Sequence, residues 1–144
     1  MRRFHRAKDK QPIIDALTGT ERGPFSQIWE IMVFSTCLGF RLDRREPLGD
    51  TDSSVAIPPS VLMNNCASWP GLGYLINLVV SSDPHILNMD DVTDEGRIKI
   101  LEEYANAGLA YVRERLEAKE YSLDSICQLI LEQMKPESAE TDSI

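Results

Sequence analysis

The sequence predicts an all-α protein, a compact single-domain bundle of about five or six helices around a buried central helix. A chain of 144 residues suits one domain, and its 42% apolar and 26% charged residues are typical of globular proteins. Apolar residues recur at intervals of three and four along most of the chain, which is the period of a helix packed on one face. We expect a basic flexible arm at residues 1–10, a helical domain at 11–135 and a disordered acidic tail at 136–144.

The first helix is predicted from Pro12 to about Leu17, because proline suits a first helical turn and Gly19 can end it. The arm before it is rich in cations. We interpret this arm as a solvated terminus, with a nucleic-acid-binding arm as the alternative. Its cationic residues are Arg2, Arg3, Arg6, Lys8 and Lys10.

The central helix is predicted to begin near Pro24 and to be apolar on all sides, so that other elements cover it on more than one face. Gly39 is expected to end this helix in the left-handed conformation, with Phe40 folding back on the last turn. The turn that follows carries Arg41, Arg44 and Arg45. They are predicted either to cap helix carbonyls and pair with nearby carboxylates or to bind a carboxylate or phosphate ligand. The carboxylates available for pairing are Asp43, Glu46 and Asp50.

Two helices are predicted in the middle of the chain. One begins at Pro58-Pro59 and runs through Cys66, and Trp69-Pro70 breaks it. The next begins at Gly71, with a strand as the alternative because Val79 and Val80 are β-branched. Its buried face is expected to carry Tyr74, Leu75, Leu78 and Val79.

The longest helix is predicted from Thr93 or Asp94 to about Lys119, with its acidic residues near the positive end of the helix dipole. Residues 106–108 are small enough to let another helix approach closely, while Glu102 and Glu103 are assigned to the solvated face. The buried stripe is predicted to be Ile98, Leu101, Ala105, Leu109, Val112 and Leu116.

Ser122 is expected to cap a last helix. The side chains predicted to face inward on it are Leu123, Ile126, Cys127, Ile130, Leu131 and Met134.

The charge distribution limits the classes of partner. Residues 1–50 carry nine Lys/Arg against seven Asp/Glu, a balance of +2, and residues 51–144 carry six against sixteen, a balance of −10. A chain this acidic is a poor non-specific binder of DNA, so any nucleic acid is expected at the N-terminal half. No apolar run reaches the length of a membrane span and no signal-peptide pattern is present, so we expect a soluble, cytoplasmic protein without membrane contact.

Side-chain chemistry predicts neither a catalytic site nor a metal or cofactor. His5 and His85 have no His, Cys or Glu at the helical spacing that zinc sites use. The glycines do not form a nucleotide-binding loop pattern, the serines do not form a catalytic-triad pattern, and the carboxylates do not follow the spacing of an EF-hand. The three cysteines, which are predicted to be reduced and buried, are Cys37, Cys66 and Cys127. We therefore predict that the chain is not an enzyme.

Three segments nevertheless suggest a family. They are Gly39-Phe40, the turn Arg45-Glu46-Pro47-Leu48, and the helical run Glu102-Glu103-Tyr104-Ala105-Asn106 with Gly108. With them the chain resembles, from about residue 5 to 133, the small proteins called Dnd system-associated protein 4, which accompany bacterial DNA phosphorothioation and phage-restriction genes. The resemblance implies a role in antiphage defence and assigns no reaction or catalytic residue.

Three functions are consistent with these observations. The first is a non-catalytic accessory or adaptor subunit that binds a larger defence-system protein, with homo-oligomers also possible. The second is a DNA-binding regulator or sensor of modified DNA, and a small hydrolase or nuclease is a weaker third. The binding residues of the second would be Arg2, Arg3, Arg6, Arg41, Arg44 and Arg45.

Overall fold

Six α-helices make up most of the computed structural model, which describes residues 2–18, 23–116 and 121–134. The all-α fold is confirmed, and no sheet forms within those ranges. Short 3₁₀ turns lie at Lys8–Lys10, Ser53–Val55 and Pro84–Leu87. The helices are α1 (Gln11–Thr18), α2 (Ile28–Leu42), α3 (Pro59–Asn65), α4 (Trp69–Ser81), α5 (Asp91–Leu116) and α6 (Leu123–Met134).

The core forms where α2 crosses α5, and two glycines set the closeness of that crossing. A Cβ atom on Gly39 of α2 would lie 2.8 Å from the carbonyl carbon of Tyr104 on α5. Reciprocally, a Cβ on Gly108 of α5 would lie 2.8 Å from the carbonyl carbon of Ser35 on α2. The close approach expected at residues 106–108 is confirmed, and the two backbones touch at two points about one helical turn apart.

The central helix α2 ends later than predicted. Gly39 is a buried residue inside the helix, and Asp43, with φ of 55°, adopts the left-handed conformation that ends it. The Asp43 N–H donates to the carbonyls of Gly39 and Phe40, which completes the cap. Glycine at position 39 therefore serves the contact with α5, and the prediction that it ends the helix was wrong.

The inward faces of α4 were also predicted incorrectly. The helix itself is confirmed, but Leu75 and Val79 are 59% and 57% exposed. The buried residues of α4 are Trp69, Gly73, Ile76 and Asn77. The face that packs on α5 is thus rotated from the most apolar one, because Gly73 lets α4 approach the side chain of Leu101 closely.

Helix α5 confirms its predicted stripe and corrects its predicted solvated face. All six stripe residues, from Ile98 to Leu116, are buried. Glu102 and Glu103 are buried as well, at 3% and 8% exposure. Buried carboxylates need partners, and other parts of the chain supply them, as described below.

The N-terminal segment, residues 2–10, packs against the helices instead of forming the expected solvated arm. Phe4 is buried and exchanges backbone hydrogen bonds of 2.9 Å with Ile57, and its ring meets Trp69 edge-on at 5.8 Å. Lys10 is fully buried, with its Nζ 3.2 Å from Asp9 Oδ2 and 3.5 Å from Glu46 Oε1. The expected acidic tail at residues 136–144 lies outside the described residues.

The prediction of three buried cysteines was wrong for two of them. Cys37 on α2 and Cys127 on α6 are exposed, and Cys66, just after α3, is half-buried. All three are free thiols. Cys37 is exposed, whereas the neighbouring residues Ser35 and Gly39 make the close contact of α2 with α5.

Candidate interaction surfaces

The three segments that suggest a family meet in space around Tyr104. Gly39 contacts the Tyr104 backbone, and the Phe40 ring meets the Tyr104 ring edge-on at 5.6 Å. The guanidinium of Arg45 lies 5.9 Å from the centre of the same ring. The α2 end, the following turn and the middle of α5 therefore form one packed unit, although about 60 residues of chain separate them.

Polar groups of α5 hold the turn that follows α2. Arg45 donates to Glu103 Oε1 at 2.9 Å, and the Glu46 N–H donates to the Glu103 carbonyl at 3.1 Å. Asn106 Nδ2 donates to the carbonyls of Glu46 and Pro47, at 3.3 and 3.0 Å. Through these bonds Glu103 and Asn106 of α5 hold the turn against the helix.

Glu102 holds the N-terminal segment in the same way. Its carboxylate accepts hydrogen bonds from the Arg2 guanidinium and from the His5 N–H, and His5 Nδ1 lies 3.3 Å away. Burial raises the pKa of Glu102, while the His5 N–H and the charges of Arg2 and His5 oppose that shift. The carboxylate thus ties the start of the chain to the centre of α5.

A sequence signal for Glu102 existed and was overlooked. Residue 102 lies four positions after Ile98 and three before Ala105, which places it on the buried stripe by helical spacing alone. Its charge led us to assign it to solvent. All residues from Leu101 to Leu109 are buried, so α5 is covered on every side at Glu102, and the segment around residues 2–5 supplied the compensating charges.

A polar groove of about 450 Å³ opens beside this anchor. Arg2, His5 and Lys99 bring positive or titratable groups to it, and Glu102 and Glu103 bring negative ones. Such mixed charge can hold a polar or anionic group through Lys99, whose ammonium is exposed and forms no ion pair among the described residues. The remaining wall is the turn at residues 47–51.

Each of the six candidate arginines contacts another part of the chain. Arg2 binds Glu102, Arg3 lies 3.4 Å from the Ala56 carbonyl, and the buried Arg6 donates to the Val55 carbonyl at 2.6 Å. These three guanidinium groups are used to fasten the N-terminal segment.

The other three arginines fasten the region after α2. Arg41 donates to the Gln133 carbonyl at 2.9 Å, so it caps a carbonyl of α6 and not of its own helix. Arg44 lies over the Tyr111 ring at 5.5 Å, and Arg45 binds Glu103. The predicted pairing with Asp43, Glu46 or Asp50 is not found among the described contacts, because the α5 carboxylate lies closer.

Helix α6 exposes most of the apolar face that was expected to point inward. Ser122 Oγ accepts the Ser125 N–H at 3.2 Å, which confirms the predicted cap. Ile126 and Leu129 are the buried residues of this helix. We call the outward-facing set the α6 stripe: Leu123 (59% exposed), Cys127, Ile130 (36%), Leu131 (57%) and Met134 (69%).

Three contacts fix α6 in place while the stripe stays open. Arg41 binds the Gln133 carbonyl, Gln133 Nε2 donates to Tyr111 Oη at 2.8 Å, and Arg115 pairs with Glu132. All of them lie on the inward side or flank of the helix. The five stripe residues fall within about 100° of the helix circumference and carry no charge.

The described ranges contain neither a group of side chains that could hold a metal ion nor a helix that could span a membrane. There, no three His, Cys, Asp or Glu side chains are grouped so as to hold a metal ion. His85 is exposed and its Nδ1 lies 2.9 Å from Asp83 Oδ1, at the cap of a 3₁₀ turn. Every helix in these ranges is too short or too polar to cross a membrane.

Comparison with known proteins decides the family. The pattern of the family described as DNA sulphur modification system-associated protein 4 matches residues 3–144, essentially the whole chain. The chain belongs to this family. Family membership associates it with a DNA sulphur modification system. Neither the curated proteins nor the solved structures contain a match.

Proposed function

We propose that the chain is a non-catalytic accessory subunit of a DNA sulphur modification system, and that it contributes to antiphage defence by binding a larger protein of that system. The binding surface is the α6 stripe. The observation that carries the proposal is this exposed, uncharged row of large side chains on a helix that is otherwise fixed to the domain.

The energetics of the stripe favour a partner. Soluble monomers rarely leave several large apolar side chains exposed side by side. Burying one such side chain stabilises a complex by about 1.5–3 kcal/mol before the costs of association. An apolar helix spaced in this way fits an apolar groove or a second helix on the partner.

The use of the family's polar residues supports a non-catalytic role. Glu102, Glu103 and Asn106 are the buried polar groups of the signature, and each holds another part of the chain. Their burial and polarity are accounted for by these contacts, without a catalytic role. In this chain the three residues therefore help to hold the domain together.

Co-production with the proteins of its DNA sulphur modification system tests the proposal. We expect the tagged wild-type chain to retain one of these proteins, and Leu131→Glu to lose it because a carboxylate would enter the apolar contact. Leu75→Glu is the matched control, since Leu75 is 59% exposed on α4 and Leu131 is 57% exposed on α6. The control variant should retain the partner.

Two outcomes would overturn the proposal. One is equal retention by the Leu131→Glu and Leu75→Glu variants, which would place the contact elsewhere. The other is a homodimer in light scattering that Leu131→Glu converts to a monomer, because the stripe would then serve self-association.

DNA binding is the second candidate function, and the polar groove is the observation that favours it. Lys99 offers a cation there, with Arg2 and His5 beside it. This function predicts a gel shift on modified or plain duplex at low salt that weakens with added salt and in a Lys99→Glu variant. A flat titration on both duplexes would dismiss it.

A further inference from the structure

A groove runs between α4 and α5, built from three adjoining hollows. The central hollow, of about 50 Å³, is walled by residues of α3, α4 and α5 that are mostly apolar, together with Asn77, Asp94 and Arg97. It shares four of them with a hollow of about 30 Å³ that extends to Arg2 and Phe4. The shared walls are Met63, Trp69, Ile98 and Leu101.

At its other end the groove becomes acidic. The central hollow shares Tyr74, Asp94 and Arg97 with a third hollow of about 160 Å³. Asp90 and Asp91 line that third hollow. Asp94 pairs with Arg97 at 3.2 Å, whereas Asp91 is exposed and forms no ion pair among the described residues. The groove thus runs from a guanidinium at one end, past an apolar centre, to carboxylates at the other.

A buried hydrogen-bond acceptor without a partner lies in the central hollow. Asn77 is fully buried, and its Nδ2 donates to the carbonyls of Gly73 and Arg97 at 2.8 and 3.3 Å. These two bonds fix the orientation of the amide. Its Oδ1 is left with no donor among the described residues, and an unsatisfied buried acceptor costs free energy that a ligand donor would recover.

A buried donor without a partner lies toward the other end. Arg2 binds Glu102 through its terminal nitrogen, but its Nε is buried and has no acceptor among the described residues. Arg2 lines the hollow that adjoins the central one. The walls of one groove therefore contain both an unused acceptor and an unused donor. Each of these atoms has less than 1 Å² of accessible surface, so a ligand reaches them only where the walls of the hollows move apart.

We propose that this groove binds an extended peptide segment of a partner protein. An extended backbone presents N–H and C=O groups together, so one N–H can donate to Asn77 Oδ1 and a carbonyl can accept from Arg2 Nε. One small apolar side chain enters the central hollow, and a lysine or arginine of the segment lies beside Asp90 and Asp91. This site goes beyond the proposed function, because it lies apart from the α6 stripe.

The groove residues provide a direct test with short peptides. The probe is a library of random peptides displayed on phage and selected on the full-length chain, followed by synthesis of the enriched peptides. We expect them to combine an apolar residue with a nearby lysine or arginine. A Trp29→Phe variant leaves Trp69 as the remaining tryptophan, and its emission should shift when the peptide fills the hollow.

Substitutions separate this site from the α6 stripe. Met63 is 36% exposed at the groove and Met134 is 69% exposed on the stripe, so Met63→Glu and Met134→Glu form a matched pair. Peptide affinity should fall at least tenfold in Met63→Glu and stay unchanged in Met134→Glu. Retention of the partner protein through α6 should be lost in Met134→Glu and stay unchanged in Met63→Glu. Asp91→Lys, a surface change, should weaken lysine-bearing peptides and spare neutral ones.

The absence of any enriched peptide, or peptide binding that survives Met63→Glu, would overturn the inference. Enriched peptides without cations, with affinities unchanged by Asp91→Lys, would contradict the assigned ligand class. The proposed function is judged by substitutions on the α6 stripe, such as Leu131→Glu and Met134→Glu, so either idea can fail while the other stands.

Discussion

Gly39 of α2 and Tyr104 of α5 are in direct backbone contact, 65 residues apart in the sequence, at the point where the two longest helices cross. The contact leaves no space for a side chain at position 39, because a Cβ would lie 2.8 Å from the Tyr104 carbonyl carbon. Gly108 and Ser35 repeat it in the reverse sense. The domain is organised around this pair of contacts.

Gly39→Ala is expected to destabilise the domain by about 3 kcal/mol, because backbone atoms cannot move aside as a flexible side chain can. Gly96→Ala, also inside a helix but with nothing within 4 Å of the added Cβ, should instead stabilise it by about 0.5–1 kcal/mol. Urea unfolding monitored by circular dichroism measures both. Equal effects of the two substitutions would mean that the helices are not in contact at Gly39.

Asn106→Asp should release the turn after α2. It removes the donor that holds the carbonyls of Glu46 and Pro47 and places a negative charge against them, with an expected loss of about 1–3 kcal/mol. Asn65→Asp is the control, because Asn65 also bonds a carbonyl, that of Val61, but on an exposed surface. Hydrogen exchange at the Glu46 amide should quicken in Asn106→Asp and not in the control.

The stability of the domain should carry a pH signature of Glu102. Burial raises the pKa of Glu102 in the folded state above its value in the unfolded state. At a pH between these two values, the folded state binds more protons than the unfolded state does. The Glu102 contribution to the free energy of unfolding is then present at low pH and falls as pH rises through the folded pKa. The difference between wild type and Glu102→Gln, measured by urea unfolding across the acidic range, should decline accordingly. A difference that increases with pH would show that Arg2 and His5 outweigh burial.

The three thiols should react at different rates in the native protein. Cys37 and Cys127 are exposed and Cys66 is half-buried, so iodoacetamide should modify the first two before Cys66. Partial desolvation, with a smaller effect of Cys66, raises the pKa of Cys37. The alkylation rate of Cys37 should therefore continue to increase up to a higher pH than that of an ordinary thiol. Mass spectrometry of timed samples measures these rates, and modification of Cys66 first would contradict the structure.

The predictable part of the fold is the part set by local periodicity. The 26 residues of α5 repeat their apolar stripe long enough to predict six of its buried residues, and the proline start of α3 needs no tertiary information. The role of Gly39 was predicted incorrectly because glycine is favoured both at the end of a helix and at a close contact between two helices, and the sequence does not distinguish these uses. Glu102 misled us because its partners lie 97 or more residues away in the chain.

The faces of α4 and α6 could not be predicted from periodicity. An amphipathic helix shows which side is apolar, but whether that side packs inside or faces outward depends on the neighbouring helices. On α6, Ile126 and Leu129 are buried at one edge of a wider apolar arc, and the α6 stripe occupies the remainder. Which part of this arc is buried depends on how α6 packs in the folded domain.

The central claim, that a partner covers the α6 stripe, is tested most directly by thiol protection in the assembled complex. Cys127 lies within the stripe, and Cys37 is an exposed thiol on α2 that serves as the internal control. When the chain is bound to its partner from the DNA sulphur modification system, alkylation of Cys127 should slow at least tenfold while that of Cys37 stays unchanged. A stable complex in which Cys127 reacts at its free rate would contradict the account.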